Sequence, residues 1–217
     1  DNVYMKTVKG PLKVDCIYRR LDDNFLDPKA FNKDSVIGVP GLFKCWLKKN
    51  VGIINAVGTG VADDKVVYSY VNRMIVYYLG EQPILNQVET YLCNDESQKK
   101  YVLENLSKLV VKPANASGGY GIMIGPKASS KEREEVAEKI KKNPREYIAQ
   151  PLETLSTAPT ITEKNIEPRH LDLRPFVLSG KTNYVTTGGL TRVALRKGST
   201  IVNSSQGGGS KDTLIVE

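Results

Sequence analysis

The segment Val110-Val111-Lys112-Pro113-Ala114-Asn115-Ala116-Ser117-Gly118-Gly119-Tyr120-Gly121-Ile122-Met123-Ile124-Gly125 carries residues that could hold phosphate. Lys112 ends an apolar strand, a loop of small residues follows, and an apolar strand returns. Gly118, Gly119 and Gly121 let backbone N–H groups approach anionic oxygens with no Cβ in the way. Ser117 adds a hydroxyl donor, Tyr120 sits among the glycines, and Lys112 supplies the point charge. A Walker A loop needs Lys-Ser or Lys-Thr after its glycines and then a helix, which this segment lacks. A dinucleotide fingerprint also requires a helix where a strand follows here. A glycine-rich hairpin with an incidental lysine is the competing reading.

Three later segments carry further candidates. In Tyr147-Ile148-Ala149-Gln150-Pro151-Leu152-Glu153 an apolar strand ends in polar groups. Its backbone could meet an adenine edge and Glu153 a ribose, although a plain strand exit fits as well. In Arg169-His170-Leu171-Asp172-Leu173-Arg174, alternate residues on a strand share a face, which groups His170, Asp172 and Arg174. Ionisable groups on a covered face are costly unless paired or bound; an exposed face with Asp172 and Arg174 as neighbours is the alternative. Arg192 lies mid-strand beside small residues. A Gly-rich turn, 207–210, is flanked by Asn203 and Gln206.

These groups need a scaffold, and the pattern predicts one. Strands are expected over 13–19, 51–55, 108–112, 146–150, 170–178, 182–196 and 200–203, with 213–216 returning as a strand after the Gly-rich turn. Short helices are expected over 40–49 and 96–106. The clearest helix spans 64–79, capped by Asp63 or Asp64 and stopped by Gly80, with Val67, Tyr70, Val71, Met74, Ile75 and Tyr78 as a core stripe. Ser129 and Glu132 form a capping box for a helix over 130–142. The first part, 1–95, reads as one subdomain and 96–217 as another.

Composition narrows the function classes. The net charge of +7 suits either nucleic acid or a polyanionic small molecule. Basic residues do not cluster with aromatics, so nucleic acid is not the expected partner. Cys16, Cys45 and Cys93 are scattered and odd in number, which argues against a disulfide framework and for a reducing, cytoplasmic setting. A single histidine excludes a multi-histidine metal centre. No apolar run approaches the ~20 residues that span a bilayer, and residues 1–4 do not open a signal peptide.

Taken together, residues 108–217 resemble an ATP-grasp nucleotide site, and the stretch from Asp172 through Arg192 to Asn203 and Gly207-Gly208 is similar to that of the ribosomal-protein glutamate ligases. Ile17-Tyr18-Arg19-Arg20-Leu21-Asp22-Asp23, Leu26-Asp27-Pro28, Gly38-Val39-Pro40-Gly41-Leu42 and Asn55-Ala56-Val57-Gly58-Thr59-Gly60 resemble the circularly permuted ATP-grasp proteins, a group related to the glutathionylspermidine synthases. The resemblance implies an α/β (α+β) fold of mixed and antiparallel sheets with flanking helices, circularly permuted. Residues 1–95 would be a partial core or linking subdomain and 96–217 the nucleotide-binding subdomain.

It also implies a reaction: ATP with Mg²⁺ activates a small-molecule or peptide carboxylate as an acyl phosphate, and an amine displaces phosphate to give an amide. Lys112 and the 117–121 flap would hold phosphates, and Gln150, Leu152 and Glu153 would meet adenine and ribose. His170, Asn203 and Gln206 would complete the nucleotide site. Arg192, with Arg174 and Asp172, would serve the transferring phosphoryl group.

The family's Glu-x-Asn metal motif has no counterpart at the matching place. Glu163-Lys164-Asn165 and Asp22-Asp23-Asn24 are nominal matches in a loop and a turn. The metal ligands are therefore unknown and expected outside this chain, which reads as the C-terminal portion of a longer, active protein and as inactive alone. The alternative is a non-catalytic nucleotide-binding module.

Overall fold

The computed structural model describes residues 2–116, 119–162, 165–204 and 207–216. The chain forms two compact units, Asp1–Leu85 and Asn86–Glu217. Residues 86–95 belong with the second because β5 (Tyr91–Leu92) pairs with β8 (Tyr147–Pro151).

The first unit opens with a hairpin, β1 (Val3–Thr7) and β2 (Gly10–Val14). The expected strand over 13–19 is broken at Asp15, and β3 (Cys16–Tyr18) instead runs parallel to β4 (Gly52–Ile54). Leu26, Leu42, Cys45, Val51 and Ile53 form its core, drawn from α1 (Asp23–Leu26), α2 (Leu42–Leu47), β4 and its approach.

Two polar clamps hold this small unit. Arg19, 7% exposed, donates to the carbonyls of Leu21, Asn55 and Ala56, to the Thr59 hydroxyl and to Asp23 Oδ1. Asp27, 1% exposed, accepts backbone N–H bonds from Lys29 (2.9 Å) and Gly41 (3.0 Å) on Oδ1 and from Phe43 (3.0 Å) on Oδ2. It thereby fastens the segment after α1 to the start of α2.

The helix α3 (Lys65–Leu79) has the predicted ends: Asp64 accepts from the Val66 N–H, and Gly80 takes the left-handed conformation with φ 67°. Its stripe departs from expectation, for no α3 residue is buried, and Val71, Met74 and Tyr78 are exposed. Val67, Tyr70 and Ile75 are half-buried, and among the described residues the unit's core cluster draws its buried members from the segments around α1, α2 and β4 and none from α3.

The second unit contains two four-stranded sheets. One has the order β5-β8-β6-β7, with β6 (Leu109–Pro113) and β7 (Met123–Ile124), and is antiparallel throughout. It packs against α4 (Glu96–Glu104) and α5 (Ser130–Lys142) around Cys93, Val102, Leu106, Val111, Ile140 and Ala149. The capping box of Ser129 and Glu132 is formed, and the N–H bond to Glu132 holds its carboxyl below the usual range.

The other sheet has the order β12-β11-β10-β9: β9 (Thr157–Ile161), β10 (Ile166–Ser179), β11 (Asn183–Ala194) and β12 (Gly208–Lys211). Residues 200–203 and 213–216 are not strands. The glycine run that reads as a turn is itself the strand, with Gly208 paired to Ala194 and Gly209 to Val193. A Cβ on Gly208 would lie 2.1 Å from the Val202 carbonyl oxygen, so only glycine lets this strand run so close to that backbone. No helix among the described residues is long and apolar enough to cross a membrane.

Burial alone would raise the Asp27 carboxyl, but the amides of Gly41, Lys29 and Phe43 outweigh it and hold it below its ordinary value. A carboxyl depressed by folding contributes stability above its unfolded value of about 3.9, and that contribution is lost as pH falls through the folded value. Asp27→Ala should cost about 2–4 kcal/mol in urea unfolding at pH 7. Asp27→Asn should be milder and should flatten the loss of stability below about pH 4.

Candidate functional site

A cavity of about 420 Å³ lies within the second unit. Its wall comes from both sheets: Val110, Lys112, Ile124, Gln150 and Pro151 from the first, and Asp172 and Arg174 from β10 of the second. Leu152, Glu153 and Leu155 line it where the chain leaves β8, and Thr200, Ile201, Val202 and Asn203 complete it from the segment before β12. Of the predicted residues, Lys112, Gly119, Gln150, Leu152, Glu153, Asp172, Arg174 and Asn203 are thus brought together.

Lys112 stands near the end of β6, and Gln150 stands on the adjacent β8 opposite Val110. Diagonal neighbours on a sheet lie within reach of long side chains. Lys112 Nζ donates to Gln150 Oε1 at 2.6 Å, and Gln150 Nε2 donates to Thr90 Oγ1 at 2.8 Å. A lysine ammonium can only donate, so the oxygen end of this amide must face it. Gln150 is 7% exposed, and an unbonded amide there would carry the full desolvation cost.

On β10, Asp172 and Arg174 form an ion pair, with Nη2 to Oδ2 at 3.1 Å and Nε to Oδ1 at 3.2 Å. Arg174 Nη2 also donates to Asn203 Oδ1 at 3.1 Å, which ties the 200–203 segment to the sheet. The Asn203 carbonyl accepts from the Gly208 N–H, so one residue links the cavity wall to the glycine strand. His170 shares their strand face, and its Nδ1 is 2.8 Å from the Leu155 carbonyl oxygen.

Arg192 pairs across the sheet with Asp172. Its Nε is buried and, among the described residues, has no hydrogen-bond partner. A buried guanidinium N–H left unmatched is costly, on the order of 1–3 kcal/mol, and is matched naturally by an anion.

Gly119 and Gly121 have φ of 80° and 71°, the left-handed region that favours glycine. Tyr120 between them is 72% exposed. Ser117, Gly118 and Gln206 lie outside the described residues. Thr90, Leu155 and Ile201 join the site without any signal in their local sequence. Thr90 lies in an irregular stretch, and only the pairing of β5 with β8 brings it to Gln150.

The donor set suits a nucleotide: an apolar slot of Val110, Ile122, Ile124 and Leu152 beside cationic Lys112, with an unmatched buried Arg192 Nε nearby on the sheet. It does not suit a magnesium cage, which needs several hard oxygen ligands. Among the described residues no three His, Cys, Asp or Glu side chains gather. In the first unit both Asp23 oxygens are engaged, by Arg19 and by the Gly58 N–H, and Glu163 and Lys164 lie outside the described residues.

The chain belongs to the circularly permuted ATP-grasp family, type 2, whose model matches residues 1–194. It is 57% identical over 98% of its length to an uncharacterised protein of Synechocystis, of which it covers 44%. It is 52% identical over its whole length to an uncharacterised Mycobacterium tuberculosis protein, of which it covers 39%. A Frankia casuarinae protein provisionally named glutamate–cysteine ligase 2-2 is 49% identical over 99% of the chain, which covers 25% of it. The chain therefore spans under half the length of these relatives.

Because Arg192 Nε has no partner among the described residues, Arg192→Met should leave the melting temperature unchanged or raise it. Thermal unfolding by circular dichroism checks this, and a drop of several degrees would identify the guanidinium as a structural tie instead.

Proposed function

We propose that this chain is the ATP-binding portion of a carboxylate–amine ligase. The observation that carries the reading is the buried Arg192 Nε, without a partner among the described residues, on the strand beside Asp172, which with Lys112 lines one cavity. Membership of the ATP-grasp family supports ATP as the nucleotide, and the ligase name of the Frankia relative supports amide formation between a carboxylate and an amine.

The chain's own residues divide the work. Lys112 and the 119–121 turn hold phosphate oxygens. The slot of Val110, Ile122 and Leu152 takes the base, and Glu153 reaches the ribose. Arg192 matches the charge that spreads over the transferring phosphoryl oxygens, and Arg174, oriented by Asp172 and Asn203, reinforces it. A carboxylate oxygen attacks the γ-phosphorus of ATP and ADP leaves; the amine then attacks the acyl carbon, and phosphate and a proton leave as the amide forms. The first unit serves as the partial core, and the second, which takes in residues 86–95, as the nucleotide subdomain. No step is assigned to magnesium, because the described residues do not form its cage. That same lack of gathered carboxylates favours a second reading, a module that binds nucleotide without catalysis.

Calorimetry with ATP and Mg²⁺, repeated in EDTA, tests the proposal. Wild type should bind ATP, and binding should survive chelation. Lys112→Met and Arg192→Ala should each weaken it by about tenfold, the value of one charge-assisted phosphate contact. Absence of ATP binding by the wild type sinks the reading.

A further inference from the structure

Three side chains form a row across three strands of the first sheet in the second unit. Lys112 is on β6, Gln150 on β8, and Thr90 immediately precedes β5. The Tyr91–Ala149 pair brings Thr90 opposite Gln150. The bonds run one way. Lys112 Nζ donates to Gln150 Oε1, Gln150 Nε2 donates to Thr90 Oγ1, and the Thr90 hydroxyl donates to the Val88 carbonyl at 3.0 Å. Lys112, Gln150 and Val88 all line the cavity.

We propose that Thr90 is a positioning residue for Lys112. It acts through Gln150, rests on the nucleotide-site reading above, and touches neither substrate nor phosphate. A neutral amide can turn about its last bond, and the two orientations present opposite groups. With its Nε2 taken by Thr90, Gln150 must present oxygen toward Lys112. Thr90 is itself oriented because its single proton is committed to Val88. The lysine ammonium is thus held at one place on the cavity wall before a ligand arrives, which lowers the ordering cost of phosphate binding. Without the hydroxyl, the amide can turn its NH₂ toward a cation, and the ammonium loses the Gln150 oxygen as an acceptor.

The test uses the full chain and two variants of the threonine. Thr90→Val keeps the shape and removes the hydroxyl, whereas Thr90→Ser keeps the hydroxyl. ATP affinity by calorimetry should fall about fivefold in Thr90→Val, from loss of one hydrogen bond's worth of preorganisation, and return to within about twofold in Thr90→Ser. Adenosine affinity should not change. Independently of any nucleotide, competitive acetylation read by mass spectrometry should show Lys112 reacting several-fold faster in Thr90→Val and at the wild-type rate in Thr90→Ser.

Unchanged labelling and unchanged ATP affinity in Thr90→Val overturn the proposal. So does equal loss in both variants that tracks a lowered melting temperature, because that marks a packing role. If the wild type binds no ATP, the nucleotide reading fails, and the labelling rates alone decide whether Thr90 controls Lys112.

Discussion

A buried amide must find both a donor and an acceptor, and at Gln150 that requirement organises the cavity. Ile148 and Ala149, the residues before it on β8, are fully buried, so β8 cannot shift to release the amide. Its oxygen is met by Lys112 and its nitrogen by Thr90. Three strands must therefore hold their register for one side chain to be satisfied. A slip of one residue on β6 would turn Lys112 to the opposite face and leave Gln150 Oε1 without its cation.

The second sheet reaches a similar end with charge. Asp172 is the cross-strand register partner of Arg192 on β11, and its carboxylate pairs with Arg174 two residues along on its own strand. Arg174 is oriented by Asp172 and Asn203, while the Arg192 Nε has no partner among the described residues. The first unit uses buried charge differently. Arg19 and Asp27 spend their hydrogen-bonding capacity on backbone groups and neighbouring side chains, and they fasten loops where a small hydrophobic cluster gives limited support.

What the sequence makes legible follows from locality. Asp64 and Gly80 delimit α3, and Ser129 with Glu132 starts α5, because caps act within one helical turn. The face shared by His170, Asp172 and Arg174 follows from strand periodicity, and Lys112 at the end of an apolar run was visible without neighbours. Thr90 was not, because its role depends on a pairing made with residues some sixty positions away. The α3 stripe has a core-like period, yet none of its residues is buried, and period alone cannot reveal how deeply a face is covered. The glycines of β12 read as a turn because strand propensity is set by packing, and here packing demands the absence of side chains.

In the β12-β11-β10-β9 sheet the outermost strands are β12 and β9. Yet Lys211 on β12 donates to the Pro159 carbonyl on β9 at 2.6 Å. The sheet bends until one lysine reaches from one margin to the other. Unpaired strand margins are templates on which neighbouring chains stack into insoluble aggregates. Here one margin carries a proline that has no N–H to offer, the other carries a lysine, and the two are joined. Such a contact works against edge-to-edge pairing with another chain, in a sheet that also exposes Phe176, Leu178 and Tyr184.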